Sequence, residues 1–99
     1  MLARIVLRDD EVAGLSPVET AALEYELRME LSEIARLRGN GDSALILAVQ
    51  AMRALDVLLT EIPDEDTALA LADSVRATPL GALAVERIAA VAALTYHAA

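Results

Sequence analysis

The chain lacks most of the side chains that perform chemistry. It has no cysteine, lysine, phenylalanine or tryptophan, and its single histidine is His97. The absence of cysteine excludes disulfide bonds and thiolate metal sites. His97 has no nucleophile or orienting carboxylate close to it in sequence, so we expect a surface residue near the terminus rather than a catalytic one. The composition predicts that the protein is not an enzyme and needs no cofactor.

Acidic residues of the first long helix are the best candidates for a metal site. Glu19, Glu26 and Glu33 recur every seven residues, which places them along one edge of a helix. Carboxylate-bridged di-metal bundles also need a Glu-x-x-His motif, and the chain has none. The acidic run at 64–66 lacks the glycine and the spacing of a calcium loop. We therefore expect a solvated acidic edge and no metal.

Leucine and alanine dominate what is present. Apolar residues make up 57% of the 99 residues, and the 17 leucines and 21 alanines are strong helix formers. β-branched and aromatic residues are sparse, which argues against a sheet. A core without Phe or Trp is thin, and small domains often compensate by oligomerising. The composition predicts a single all-α domain over residues 1–99 that forms a homodimer or larger oligomer.

The formal net charge of −8 bears on partners and location. Acidity opposes attraction to phosphate backbones and anionic lipid, so we expect neither nucleic acid nor a membrane as partner. Arg4 and Arg8 interrupt the apolar N-terminal run, which therefore lacks the core of a signal peptide. The most apolar stretch, 79–98, carries Glu86 and Arg87 at its middle, which argues against a membrane span. We expect a cytoplasmic protein.

Capping signals predict four helices after an extended arm and linker at 1–15, so that residues 16–98 are mostly helical. Ser16, Pro17 and Glu19 form a capping box with proline at the first helical position. Gly39-Asn40-Gly41 is a helix stop, and Asp42 or Ser43 caps the next helix. The predicted helices span about 16–38, 42–62, 67–77 and 78–97. The second is apolar outside one narrow stripe, so it is either the central helix or lies at an interface.

The first residues are predicted to form a short strand. Over residues 2–8, Ala3, Ile5 and Leu7 alternate with two arginines and a valine. No second convincing strand follows, and the backbone of a lone strand needs partners. The segment therefore pairs with its copy in another subunit, lies as an arm over the helices, or is a partly ordered terminus.

The first predicted helix has two opposed apolar sides. Leu23, Leu27, Leu31, Ile34 and Leu37 line one side, and Val18, Ala22, Tyr25 and Met29 line the other. One side packs on the protein's own core, and the other needs the N-terminal arm or a second subunit. The predicted interface consists of Ile5, Leu7, Val18, Ala22, Tyr25 and Met29.

The N-terminal strand and the start of the second helix share features with a known pattern. These features are outward Arg4 and Arg8, the run Arg8-Asp9-Asp10-Glu11-Val12, and the helix start Ser43-Ala44-Leu45-Ile46. In these parts the chain resembles the ribbon-helix-helix family of DNA-binding proteins. The resemblance implies that two strands pair across a dimer and enter the major groove, with Arg4, Val6 and Arg8 reading bases. The chain departs from the family in its longer connection at 14–17 and its longer first helix.

These features predict a non-enzymatic protein–protein interaction module, a small adaptor, assembly factor or inhibitor, that binds itself and another protein through Leu/Ala-rich helical faces. The first alternative is a ribbon-helix-helix-like transcription regulator, which salt-dependent retention on DNA would reveal. The second is an acidic DNA mimic that occupies a basic cleft, since carboxylates cluster at 9–11, 19–33 and 61–66.

Overall fold

Between residues 2 and 95 the chain forms six helices, so the predicted all-α class is confirmed. The computed structural model describes residues 2–95, and no strand occurs among them. The predicted helix end near His97 lies outside the described residues. The helices are α1 (Leu2–Val6), α2 (Asp9–Val12), α3 (Pro17–Leu37), α4 (Gly41–Glu61), α5 (Glu65–Arg76) and α6 (Pro79–Thr95).

The N-terminal segment is helical, so the predicted β-arm is wrong. Residues 2–6 form α1, and α2 lies within the predicted linker. Ala3, Val6 and Leu7 are buried while Ile5 is exposed, a spacing of three and four that fits a helix. The physical reason is backbone hydrogen bonding, because a helix satisfies its own N–H and C=O groups whereas a lone strand needs a partner.

Glu24 of α3 supplies hydrogen-bond acceptors that the start of α1 needs. The first amides of a helix have no carbonyl partner within it. The amides of Leu2 and Ala3 donate to the two carboxylate oxygens of Glu24 at 3.1 and 2.7 Å. One negative side chain therefore fixes this five-residue helix on the central helix of the fold.

The capping box predicted for the first long helix is confirmed. Ser16 Oγ accepts a hydrogen bond from the Glu19 amide at 3.1 Å, and the Glu19 carboxylate accepts one from the Ser16 amide at 3.0 Å. α3 ends at the predicted stop, where Gly39 has a φ of 76°. Glycine adopts this left-handed conformation without the steric cost that a Cβ would add.

The next two helices begin earlier than predicted because of the residues that cap them. The Asn40 side chain accepts a hydrogen bond from the Ser43 amide at 3.3 Å, so α4 starts at Gly41. The Asp64 carboxylate accepts one from the Thr67 amide at 3.2 Å, so α5 starts at 65. In both cases the cap lies three residues before the amide that it satisfies.

α3 is the centre of the fold. α4 packs along one side of α3, and α1, α5 and α6 pack on its remaining sides. Both apolar sides of α3 therefore have neighbours within a single chain, and neither requires a second subunit. The largest fully buried side chains of the core are Leu23 and Leu27 of α3, Leu58 of α4 and Ile88 of α6.

The corner between α5 and α6 depends on a glycine. A Cβ on Gly81 would lie 2.1 Å from the Val75 carbonyl oxygen and 2.7 Å from that of Arg76. The Thr78 hydroxyl accepts a hydrogen bond from the Gly81 amide at 3.1 Å, as a cap for α6 should. The bare backbone at 81 lets α6 begin directly against the end of α5, and the two helices meet at a bend of 78°.

Candidate interaction surface

One side of α4 carries large apolar side chains that the described chain leaves exposed. The exposed fractions of Leu45, Ile46, Val49, Met52 and Val57 are 67, 59, 45, 44 and 60%. These five residues are called the α4 surface below. Contiguous exposed apolar patches mark sites of interaction with other molecules.

The sequence pattern of α4 explains why this side is open. Ala44, Leu47, Ala51, Leu55 and Leu58 repeat at helical spacing and are buried on one side of the helix. The α4 surface falls on the opposite side, where a surface helix normally carries polar residues. α3 holds the central position of the fold and α4 packs mainly against it. This helix was predicted to be either the central helix or one at an interface, and the central helix of the fold is α3.

Polar contacts fix α4 on α3. Arg28 Nη1 donates to Gln50 Oε1 at 2.8 Å, and Ser32 Oγ donates to the Ala44 carbonyl at 2.6 Å. By length and composition alone, α4 could cross a membrane, and α5 with α6 could do so only as a bent pair. In the fold, one side of α4 is covered by α3 and the other is open.

The end of the α3–α4 hairpin has a small core of its own. This part, residues 35–49, is called the tip. Ala35, Ala44 and Leu47 are buried in it, with Leu31 partly buried against them. Leu37, by contrast, is 68% exposed at the end of α3. The tip therefore combines a thin core with the first three residues of the α4 surface.

Two charged residues flank the central part of the α4 surface. Asp42 precedes Leu45, and Arg53 follows Met52; both are exposed. Six of the eight arginines form ion pairs within residues 2–95, and Arg38 and Arg53 are the two that do not. Asp42 likewise has no side-chain partner in this part of the chain. Both charges are therefore available to a partner.

The acidic edge predicted on α3 is only partly solvated. Glu26 is 7% exposed, so the prediction is wrong there. It accepts a hydrogen bond from Arg76 Nη1 at 3.3 Å, and Arg76 Nη2 donates to Glu30 at 2.9 Å. Burial raises the pKa of Glu26, and the Arg76 guanidinium opposes that rise. Glu33 pairs with a neighbouring arginine on α3.

Several carboxylates in the described part of the chain join its helices. Arg87 Nη1 donates to Glu11 at 2.8 Å and to the Val6 carbonyl at 3.1 Å, which ties α6 to the N-terminal segment. The hydrogen bond from Arg87 and that from the Arg8 amide lower the pKa of Glu11. Within residues 2–95, no three acidic or histidine side chains lie close enough together to hold a metal ion. Ion pairs also occupy much of the acidic charge at 9–11 and 24–33.

A cleft of about 660 Å³ lies between the N-terminal helices, the start of α3 and the later part of α4. Arg4, Asp9, Thr20 and Glu24 contribute its polar lining. Its apolar walls are Val12, Ala13, Leu15, Pro17, Ala21, Ala54 and Val57. Val57 also belongs to the α4 surface, so the α4 surface and this cleft share one residue.

The six residues predicted as an interface do not share one surface. Leu7 and Ala22 are buried in the chain's own core. Val18 and Tyr25 are partly buried, and burial raises the pKa of Tyr25. Met29 is 37% exposed, and Ile5 on α1 is 74% exposed. The α4 surface contains none of the six. The α4 surface could have been found in the sequence, because this helix has more apolar residues than one packed side requires.

The three residues to which the resemblance assigns base reading make contacts within the chain. Arg4 pairs with Asp9, and Arg8 Nε lies 3.2 Å from Asp10 Oδ1. Val6 is buried, with 8% of its surface exposed. The resemblance requires a strand here, and these residues belong to α1 and the turn after it. The DNA-binding alternative loses its structural basis.

Comparisons of the chain with protein-family models, with curated proteins and with solved structures each find no match.

Proposed function

We propose that the protein is a non-enzymatic protein–protein interaction module, an adaptor, assembly factor or inhibitor, that binds partners through the α4 surface. The observation that carries this proposal is the exposure of five large apolar side chains on one helix whose opposite side is packed. Leaving such residues in water costs free energy that association recovers, at about 25 cal/mol per Å² of apolar surface buried. An interaction site is the function that accounts for this cost.

The polar groups of the described chain support a module without catalysis. Within residues 2–95, no buried side-chain nitrogen or oxygen lacks a hydrogen-bond partner. Active sites are places where titratable groups are held in perturbed environments for a task. The perturbed carboxylates of this chain, Glu11, Glu26 and Glu33, are each paired with an arginine that joins helices or stabilises one.

Site-specific photocrosslinking in the cells of origin tests the proposal. A photoreactive amino acid at Ile46 should give discrete adducts with protein, either a second copy or another chain. The matched control is the same probe at Ala70, an exposed position on α5, which should give none. The adducts at 46 should also disappear when Val49→Arg places a charge in the surface.

Two results would contradict the proposal. One is equal labelling at positions 46 and 70, since the α4 surface would then be no more occupied than ordinary surface. The other is labelling of lipid alone at position 46, which would make the apolar side of α4 a membrane contact.

A further inference from the structure

The charges beside the α4 surface indicate which partner it fits. We propose that the α4 surface binds a second copy of itself, with the two α4 helices antiparallel about a twofold axis between positions 47 and 48. This deepens the proposed function, on which it rests, by naming the partner.

The register follows from the symmetry of such a pair. In an isologous antiparallel contact, a residue a given distance before the axis meets the residue the same distance after it on the partner. Ile46 then lies against Val49 of the partner, twice, at the centre. Asp42 lies against Arg53 of the partner, also twice, at the two ends. Positions 42, 46, 49 and 53 are spaced by four, three and four, as along the contact line of paired helices.

The charges select this orientation. Asp42 and Arg53 are eleven positions apart, about 16 Å along the helix axis, so they cannot pair within one copy. A parallel pair in register would set Asp42 against Asp42 and Arg53 against Arg53, and like charges repel. Antiparallel pairing converts both exposed groups into attractive pairs.

A second antiparallel register is complementary in charge but places the wrong residues at its centre. With the axis between 54 and 55, Arg53 would meet Asp56 of the partner. Four charges would then be buried at the middle, and Leu45 and Ile46 would lie outside the contact. Interfaces have apolar centres and polar rims, and burying charges costs desolvation free energy. The axis between 47 and 48 satisfies both requirements.

The contact is one helix wide on each copy, so we expect a weak dimer that dissociates on dilution. Contacts below about 1,200 Å² of total buried area belong to transient complexes. The rim pairs then set orientation more than affinity, as exposed ion pairs do.

Charge reversal measured by sedimentation on the full chain tests the register. Asp42→Arg and Arg53→Asp each change two attractive contacts into repulsive ones. Each should raise the dimer dissociation constant about tenfold. The double variant Asp42→Arg/Arg53→Asp should restore the wild-type value, because it exchanges the partners of both pairs. An equimolar mixture of the two single variants should form a heterodimer at wild-type strength, since all its pairs are again opposite in sign.

Asp66→Arg is the matched control. Asp66 occupies the second position of α5, as Asp42 does of α4, and it is exposed and away from the α4 surface. Both variants lose a negative charge near a helix N-terminus, at a similar cost to stability. Asp66→Arg should therefore match Asp42→Arg in thermal unfolding while leaving the dissociation constant unchanged.

Three outcomes would overturn the proposal. A wild-type chain that stays monomeric at millimolar concentration has no such dimer. A dimer indifferent to both reversals uses another surface. A dimer weakened by Arg53→Asp but not by Asp42→Arg has its axis between 54 and 55. In each case, crosslinking of another protein at position 46 would leave the proposed function intact. If no protein were crosslinked there, both the dimer and the proposed function would be contradicted.

Discussion

The base of the molecule differs from the tip in how its segments are joined. The base consists of α1, α2, α5, α6 and the parts of α3 and α4 that they contact. In it, polar side chains join segments that are far apart in sequence. Arg76 reaches Glu26 and Glu30, and Arg87 reaches Glu11. At the border of the tip, Ser32 Oγ donates a hydrogen bond to the Ala44 carbonyl, a contact between the two neighbouring helices α3 and α4. Large leucines fill the core of the base, whereas the tip buries two alanines and one leucine.

The difference separates two uses of apolar residues. In the core of the base, apolar side chains from several helices pack against one another and stabilise the fold. In the tip the apolar residues are similarly frequent, but only those between α3 and α4 are buried. Two helices alone cannot cover all of each other's apolar surface. A similar apolar composition therefore gives a buried core where several helices meet and an exposed surface where only two helices meet.

The N-terminal segment gives the largest expected effect. Val6→Asp places an unpaired charge in the core of the base and should lower the free energy of unfolding by about 4 kcal/mol or more. Ile5→Asp, one residue away, should change it by less than about 0.5 kcal/mol because Ile5 is 74% exposed. Urea denaturation measures both. The reverse order would mean that the segment is extended, with Ile5 facing inward.

Matched leucine truncations compare the two regions directly. Leu27→Ala in the base should cost about 3 kcal/mol, since it removes a fully buried side chain and leaves a cavity. Leu45→Ala in the tip should cost less than about 0.5 kcal/mol. Chemical denaturation of dilute protein, where the monomer dominates, gives the comparison. Similar costs at the two positions would show that Leu45 is buried in solution.

Glycine substitutions separate a packing limit from a conformational one. Gly81→Ala should cost about 2–3 kcal/mol, because the added Cβ would lie 2.1 Å from a carbonyl oxygen in the base. Gly39→Ala should cost about 1 kcal/mol, because its site is open but its φ of 76° disfavours a side chain. Thermal unfolding of both variants tests this ranking, which an equal or inverted cost would contradict.

Caps should differ less between the regions. Ser16→Ala removes the half of the capping box in which Ser16 Oγ accepts from the Glu19 amide, and it should cost about 1 kcal/mol. Asn40→Ala removes a single longer hydrogen bond and should cost about half of that, as read from the unfolding midpoints. An unchanged midpoint for Ser16→Ala would mean that the hydrogen bond to Glu19 does not stabilise α3.

Acid sensitivity gives the smallest effect. The pKa of Glu11 is lowered from its ordinary value of 4.5, so between the two pKa values the unfolded chain binds more protons than the folded one. This contribution to stability is fully present above pH 4.5 and is lost as the pH falls through the folded-state pKa. Glu11→Gln should therefore flatten the fall of melting temperature below that pH. Glu33→Gln, at an exposed pair within α3, should flatten it less. Parallel acid profiles for wild type and Glu11→Gln would contradict the role of Arg87.

Local signals in the sequence predicted the helices where the deciding contacts are local. The capping box at Ser16, the stop at Gly39 and the start at Thr78 involve residues within four positions of one another, so their spacing contains the necessary information. The fold class follows from the same kind of signal, since Leu and Ala favour helix at every position they occupy.

The N-terminal strand could not be corrected from sequence, because over seven residues alternation and helical spacing overlap. What decided it was Glu24, 21 positions beyond Ala3, which completes the hydrogen bonds of α1. The interface prediction met the same limit. Periodicity showed that α3 has two apolar sides but not that α1, α5 and α6 would cover them.

By itself, the sequence determined an all-α chain, the positions of most helix ends, and an excess of apolar residues over what one packed side of each helix requires. The tertiary structure alone decided that α3 is central, that Glu26 is buried against Arg76, and that one side of α4 leaves five large apolar residues exposed. The physical reason is range. Capping and propensity act within a few residues, whereas burial depends on which helices meet, and that is set by contacts between positions far apart in the chain.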